Sequence, residues 1–178
     1  MFSQIRKYYI PIRILIIVLV LLGAVVFGKR ILPKPEEVHI HAGFIVYNNG
    51  KQEDFSDFRY MEVKPCGGDH QEKLTAEEEQ REKAHLHDGI GDVVHVHRKG
   101  AKWGDLFKNI NYPVVAAKLN VYINGELIRD SLTREIVPYE SIIFVVGSVD
   151  GIDLTKQVAR EHIEETERKS ELCGSDEQ

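Results

Sequence analysis

HLHDGIGDVVHVH, residues 85–97, is nearly symmetric about Gly91. Alternating arms around a short Asp- and Gly-containing loop are the pattern of a β-hairpin. Folded that way, His85 lies opposite His97 and His87 opposite His95. All four imidazoles then project from one face, while Leu86 and Val96 pack together on the other. Opposed residues have Cβ atoms about 4.5–5.5 Å apart, a spacing compatible with one metal ion about 2.0–2.1 Å from each nitrogen. A slip of one residue would mix the two faces and ruin the site.

A third pair, His39 and His41, brings six of the eight histidines into His-x-His repeats. Residues 38–47, VHIHAGFIVY, alternate as a strand with Val38, Ile40, Phe44 and Val46 on one face and His39, His41 and Tyr47 on the other. This pair joins the hairpin only if its strand lies beside it with the same face outward. Lone His-x-His pairs usually stack, bind backbone or sit exposed. Three pairs point instead to neutral imidazoles shared by zinc or copper, since both accept this ligand. Crowded imidazoles also disfavour their own charged forms, so a proton-sensing use of the same cluster is a competing expectation.

Outward from these segments the elements are legible. Asn48-Asn49-Gly50 signals a turn, with residues 51–55 returning as a hairpin and 58–63 adding an edge segment. Thr75 followed by Glu78 makes a capping box for a polar helix over 76–84. Residues 101–109, AKWGDLFKN, read as a short helix turning Trp103, Leu106 and Phe107 to the core. Residues 119–124 form a strand with Leu119, Val121 and Ile123 inward, and Asn124-Gly125 turns it into 126–129. The apolar run 141–147, SIIFVVG, suits a central strand. Asp153 can cap a last helix over 154–171. Its apolar stripe, Leu154, Val158 and Ile163, is thin beside many charges, which predicts a solvated or loosely docked tail. The order of elements predicts an α+β fold: a mainly antiparallel, β-grasp-like sheet with short helices.

The N-terminus has a different character. Residues 14–28, ILIIVLVLLGAVVFG, run fifteen residues without a charge, and extending back to Tyr8 reaches membrane-spanning length. Arg6, Lys7 and Arg13 precede the run; Lys29, Arg30 and Lys34 follow it. A cleaved signal peptide competes, but the exit GAVVFGKRILP lacks a clean small-x-small site. The expected organisation is a transmembrane signal anchor over 1–30, a stalk over 31–37 stiffened by Pro33 and Pro35, a histidine-rich extracytoplasmic domain over 38–152, and a charged C-terminal helix or tail over 153–178. A net charge of −5 argues against nucleic acid as a partner.

Around the histidines the other candidates are fewer. Asp88 and Asp92 flank the loop as partners for imidazole N–H groups, although Asp-Gly is also turn chemistry. Cys66 lies in a Gly-rich loop with His70. Cys66 and Cys173 can pair, stay free, or lend one thiolate to a metal. His162, in a polar helix, is expected to be exposed. No HExxH, GxSxG, phosphate loop or GxGxxG occurs, so the chain reads as a binding domain rather than an enzyme.

HLHDGIGDVVHVHRKGAKWGDLF, followed by LNVYINGE and ESIIFVVG, resembles a group of membrane-anchored or secreted prokaryotic domains of uncharacterised function. The resemblance spans about residues 38–147 and maps the group's pattern onto His39, His41, Cys66, His85, His87, Asp88, Gly91 and His95. His97 departs from that pattern, in which an acidic residue is common, and the Cys66-to-His85 spacing is longer. The resemblance implies the fold and an envelope location, but no reaction.

The expectation is therefore a single-pass, membrane-anchored, extracytoplasmic domain. Through His39, His41, His85, His87, His95 and His97, with Cys66 and Asp88 as further candidates, it binds a divalent transition metal (Zn or Cu) for capture, delivery or sensing. The alternatives are a cell-envelope protein-interaction module with structural or pH-responsive histidines, and a His-ligated zinc enzyme.

Overall fold

The apolar run SIIFVV occupies strand β6 (Ser141–Val146), and five of its six residues are buried because the sheet continues on both sides of it. It lies between β1 (Glu37–Asn48) and β4 (Leu119–Ile123) in the order β2-β1-β6-β4-β5. Strands β2 (Lys51–Gln52) and β5 (Glu126–Ile128) end the row, while β3 (Val93–Arg98) pairs with the first part of β1. The computed structural model describes residues 14–17, 20, 37–62, 74–115, 118–129 and 132–170. It divides into two units, residues 1–35 and 36–178.

In the first unit the described residues Ile14–Ile17 and Val20 are helical and exposed. No helix among the described residues is long and apolar enough to cross a membrane. Most of the predicted anchor, and the predicted stalk up to residue 36, lie outside the described residues.

The second unit is α+β with a mixed sheet. β1 and β6 run parallel, from Gly43 opposite Ser141 to Asn48 opposite Val146. The other pairings are antiparallel. The local patterns predict only the hairpin pairs, β1 with β2 and β4 with β5, because hairpins pair neighbours in sequence. A parallel pair needs a long crossover, and here residues 49–140 provide it. Both Asn-Gly hairpin turns form as expected. Asn49 and Gly50 have φ of 51° and 82°, Asn124 and Gly125 of 52° and 80°, the two successive positive values of a type I′ turn.

One face of the sheet carries the apolar core. Ala42, Phe44 and Val46 of β1, Val94 and Val96 of β3, Val121 of β4, and Ile142 and Phe144 of β6 pack there. Helix α2 (Trp103–Asn109) covers them; Trp103 and Phe107 meet the Phe144 ring edge-on at 5.4 and 4.9 Å. (Helix α1, Ala76–Arg81, opens on the predicted capping box, with Thr75 N–H donating to Glu78 Oε2 at 2.9 Å.) It ends three residues early because Ala84 and Leu86 are drawn, fully buried, into the core. Of the predicted edge segment 58–63, residues 58–60 form a 3-10 turn, Met61 bridges Leu86, and residue 63 lies outside the described residues.

The opposite face of β1 holds His41 and Gly43 under helix α3 (Arg160–Ser170). Here the predicted loose tail is corrected as far as residue 170; residues 171–178 lie outside the described residues. Ile163 is fully buried and Thr166 nearly so. A Cβ on Gly43 would lie 2.6 Å from Val158 Cβ and 3.1 Å from Ile163 Cδ1, so the bare glycine makes room for Val158, just before the helix, and for Ile163 within it. Leu154 falls before the helix, where Asp153 caps a turn by accepting from Thr155 N–H at 3.0 Å. Of the predicted stripe, Ile163 and Val158 both pack over Gly43, Val158 from the segment before the helix. Ile163→Ala should therefore lower unfolding free energy by about 2–5 kcal/mol in urea titration. A change under about 0.5 kcal/mol, as expected of a solvated helix, would refute the docked arrangement.

Candidate metal centre

Register creates the site. β1 and β3 pair with Ile40 opposite Val96, His41 opposite His95 and Ala42 opposite Val94. Side chains alternate, so burying Ala42, Val94 and Val96 in the core sends His41 and His95 to the other face. On the far edge of β3, His85 and His95 exchange both backbone hydrogen bonds at 2.9 Å. The three imidazoles His41, His95 and His85 thus stand in one row across three chain segments. His39, His87 and His97 surround that row.

The predicted hairpin forms with a different register. His85 faces His95, not His97, and His87 has no ladder partner. The turn is centred on Asp88-Gly89, whose φ values are 60° and 71°, and Ile90 N–H donates to the His87 carbonyl at 3.1 Å. Gly91 is therefore not the pivot. It presses against the backbone of residues 55–56, where a Cβ would come within 2.4 Å of Ser56 N. The shift is two residues, which preserves the face, so His85 and His95 still share a side.

His95 is the hub. Its ring centroid lies 4.2 Å from that of His41, 4.3 Å from His87, 4.4 Å from His39, 4.5 Å from His97 and 5.3 Å from His85. His41, His85, His87 and His95 are buried, His97 is half-buried and His39 is exposed at the rim. Two groups of three offer one nitrogen each within 4.8 Å of one another: His41, His87 and His95, and His39, His95 and His97. The strand carrying His39 and His41 therefore does lie beside the hairpin with its histidines on the shared face. His85 belongs to neither group, although its ring stacks 5.4 Å from His97.

The ring nitrogens are set by their neighbours. His87 Nδ1 donates to Asp88 Oδ2 at 2.5 Å, which leaves Nε2 to accept from His95 Nδ1–H. His85 Nδ1 donates to the Arg81 carbonyl at 3.0 Å. That leaves His85 Nε2 buried without a hydrogen-bond partner, like both nitrogens of His41 and the Nε2 atoms of His95 and His97. An unpaired buried polar atom costs about 1–3 kcal/mol, so five in one cluster is expensive unless something else engages them. The residues fit a metal ion in this respect. An imidazole that donates one N–H to a carboxylate or carbonyl is oriented to ligate through the other nitrogen. A tetrahedral zinc needs nitrogens about 3.3 Å apart, and the three nitrogens of each group lie within 4.8 Å of one another.

Burial also settles the charge state. It pushes His41 and His97 down to about 3 and His85 to about 4, with neighbouring imidazoles adding to the effect; the Arg81 carbonyl partly opposes it at His85. His95, buried among four of the others, is held far below the ordinary range. These rings are neutral at pH 7, the form that binds metal.

Asp88 thus reaches the cluster as expected, while Asp92 instead meets the exposed His162 at 3.0 Å. Cys66, His70 and Cys173 lie outside the described residues. Sequence reading misses Glu167 of α3, whose Oε1 is 3.8 Å from His41 Nδ1 and whose other oxygen accepts from Tyr139 O–H at 2.6 Å. No local pattern marks a glutamate brought over from a helix 126 residues further along the chain. Comparison with protein-family models, curated proteins and solved structures finds no match to this chain.

The lowered values give a pH signature. The unfolded histidines protonate near 6.5, whereas the folded ones resist until about 4 or 3. Their contribution to stability is present above 6.5 and is lost as pH falls toward the folded values. Metal-free protein should show a melting temperature that declines from pH 6.5 to 5, above the carboxylate range. An unchanged melting temperature across that window would contradict the buried neutral cluster.

Proposed function

We propose that this domain binds a divalent transition metal, zinc or copper, with His41, His87 and His95 as the inner ligands and His39, His97 and His85 around them. The observation that carries the reading is the convergence of three buried imidazoles, His87 oriented by Asp88 and His41 and His95 with nitrogens that no protein group satisfies. A structural cluster would be expected to pair those nitrogens with carbonyls or hydroxyls. Three nitrogen ligands leave a further coordination position, which suits capture, delivery or sensing of the ion. Asp88 and Glu167 lie close enough to offset part of the added positive charge.

The wider reading places this domain outside the cytoplasm, tethered by the apolar N-terminal run of residues 14–28. The strand order β2-β1-β6-β4-β5, with the last strand parallel to the first, supports a β-grasp-like description into which β3 is inserted. The competing reading is a cell-envelope interaction module whose histidines pack and respond to pH. The near-parallel stacking of His39 and His97 on His95 favours it.

Metal content of the untagged full chain separates the two. Zinc or copper should co-purify or bind stoichiometrically and raise the melting temperature, and His41→Ala should weaken binding by 100-fold or more. Asp88→Asn removes only the orienting carboxylate and should cost about 10–100-fold. Absence of metal after purification, with no thermal shift on adding zinc or copper, would sink the metal reading.

A further inference from the structure

His95 is claimed twice. It supplies a nitrogen to the buried group with His41 and His87 and to the outer group with His39 and His97. An imidazole has two nitrogens on opposite sides of the ring, and those of His95 have different surroundings. Nδ1 is hydrogen-bonded to Nε2 of His87, whereas Nε2 is buried with no hydrogen-bond partner. No other histidine of the cluster belongs to both groups. We propose that His95 serves two metal ions at once, one through each ring nitrogen, making the cluster a two-metal centre bridged by a single imidazolate.

This rests on the metal-binding reading and goes beyond it in stoichiometry and in the division of labour. The chemistry balances without any redox change. When the second ion binds, the remaining N–H bond of His95 breaks, a nitrogen–metal bond forms, and the proton leaves to solvent. The two positions differ in access. The inner ion has His41 and His95 as ligands, each only 1% exposed, with His87 at 8%. The outer ion has the exposed His39 and the half-buried His97. The outer position is therefore the exchangeable one, and the inner position the retained one. A domain that takes an ion from solution and passes it on needs that asymmetry.

The test uses the full-length, untagged chain loaded with copper(II) or zinc(II) and freed of excess metal. Elemental analysis should find two ions per chain. EDTA should remove one at least tenfold faster than the other. His39→Ala combined with His97→Ala should leave one slowly exchanging ion, while His41→Ala combined with His87→Ala should leave one fast ion. In the copper-loaded protein, exchange through the bridge should attenuate the low-temperature EPR signal well below that of two isolated ions. The His39/His97 variant should show the full signal of one. That variant leaves the four buried histidines in place, so it reports even where His95→Ala fails to fold. One ion per chain in the unmodified protein overturns the two-metal centre and leaves the metal reading standing; no ion overturns both. Two ions with an unattenuated signal overturn the bridge.

Discussion

The antiparallel pairing that sets His41 opposite His95 is held from behind, by the core. Ile40 faces Val96 and Ala42 faces Val94, and these apolar pairs belong to the core that also contains Phe144 of the sheet and Trp103 of the covering helix. Slipping β1 by one residue against β3 would turn Val94 and Val96 toward α3 and push His95 into the apolar core. Neither exchange is tolerable, because it would expose apolar area and bury an imidazole with nothing to bond to. The imidazoles are thus positioned by contacts they do not themselves make. Ordinary hydrophobic packing supplies the order that a ligand set needs.

That arrangement concentrates a cost on one face. Burying several imidazoles side by side removes water from nitrogens that want a partner and forbids the charged form. The neutral state follows from the crowding, and so does readiness for a cation that accepts lone pairs. Polar groups at the edge orient the rings without filling the gap between them: the Asp88 carboxylate at His87, the Arg81 carbonyl at His85 and the Glu167 carboxylate near His41. The Asp88-Gly89 turn matters for the same reason. Its two left-handed residues end the arm at His87, and this lets the ring swing toward His95 rather than extend along the ladder.

Much of this was legible where the governing interaction is local. The alternation of residues 38–47, the Thr75–Glu78 capping box, the Asn-Gly turns and the helix of Trp103, Leu106 and Phe107 all depend on residues within a few positions of one another, and all appear. The hairpin of residues 85–97 was legible in kind but not in register. The near-symmetry of the string favours Gly91 as its centre, and only the close approach of residues 55–56 shows that Gly91 is a packing glycine and the turn lies earlier. The docking of α3 was hidden because it rests on Val158 and the buried Ile163 over the bare Gly43 rather than on a full apolar stripe.

By itself the sequence determined which side chains share a face, because strand alternation and turn chemistry are properties of neighbouring residues. The three His-x-His repeats, each on one side of its segment, were settled at that level. Which repeats meet was decided only by the tertiary structure, since that depends on how distant segments bury their apolar faces together. The strand of His39 and His41 runs beside β3, the predicted opposition of His85 and His97 gives way to His85 and His95, and Glu167 arrives from α3. The centre of the cluster is therefore His95, a residue no more prominent than its neighbours in the sequence. It is central because β3 alone has a histidine-bearing segment on each side.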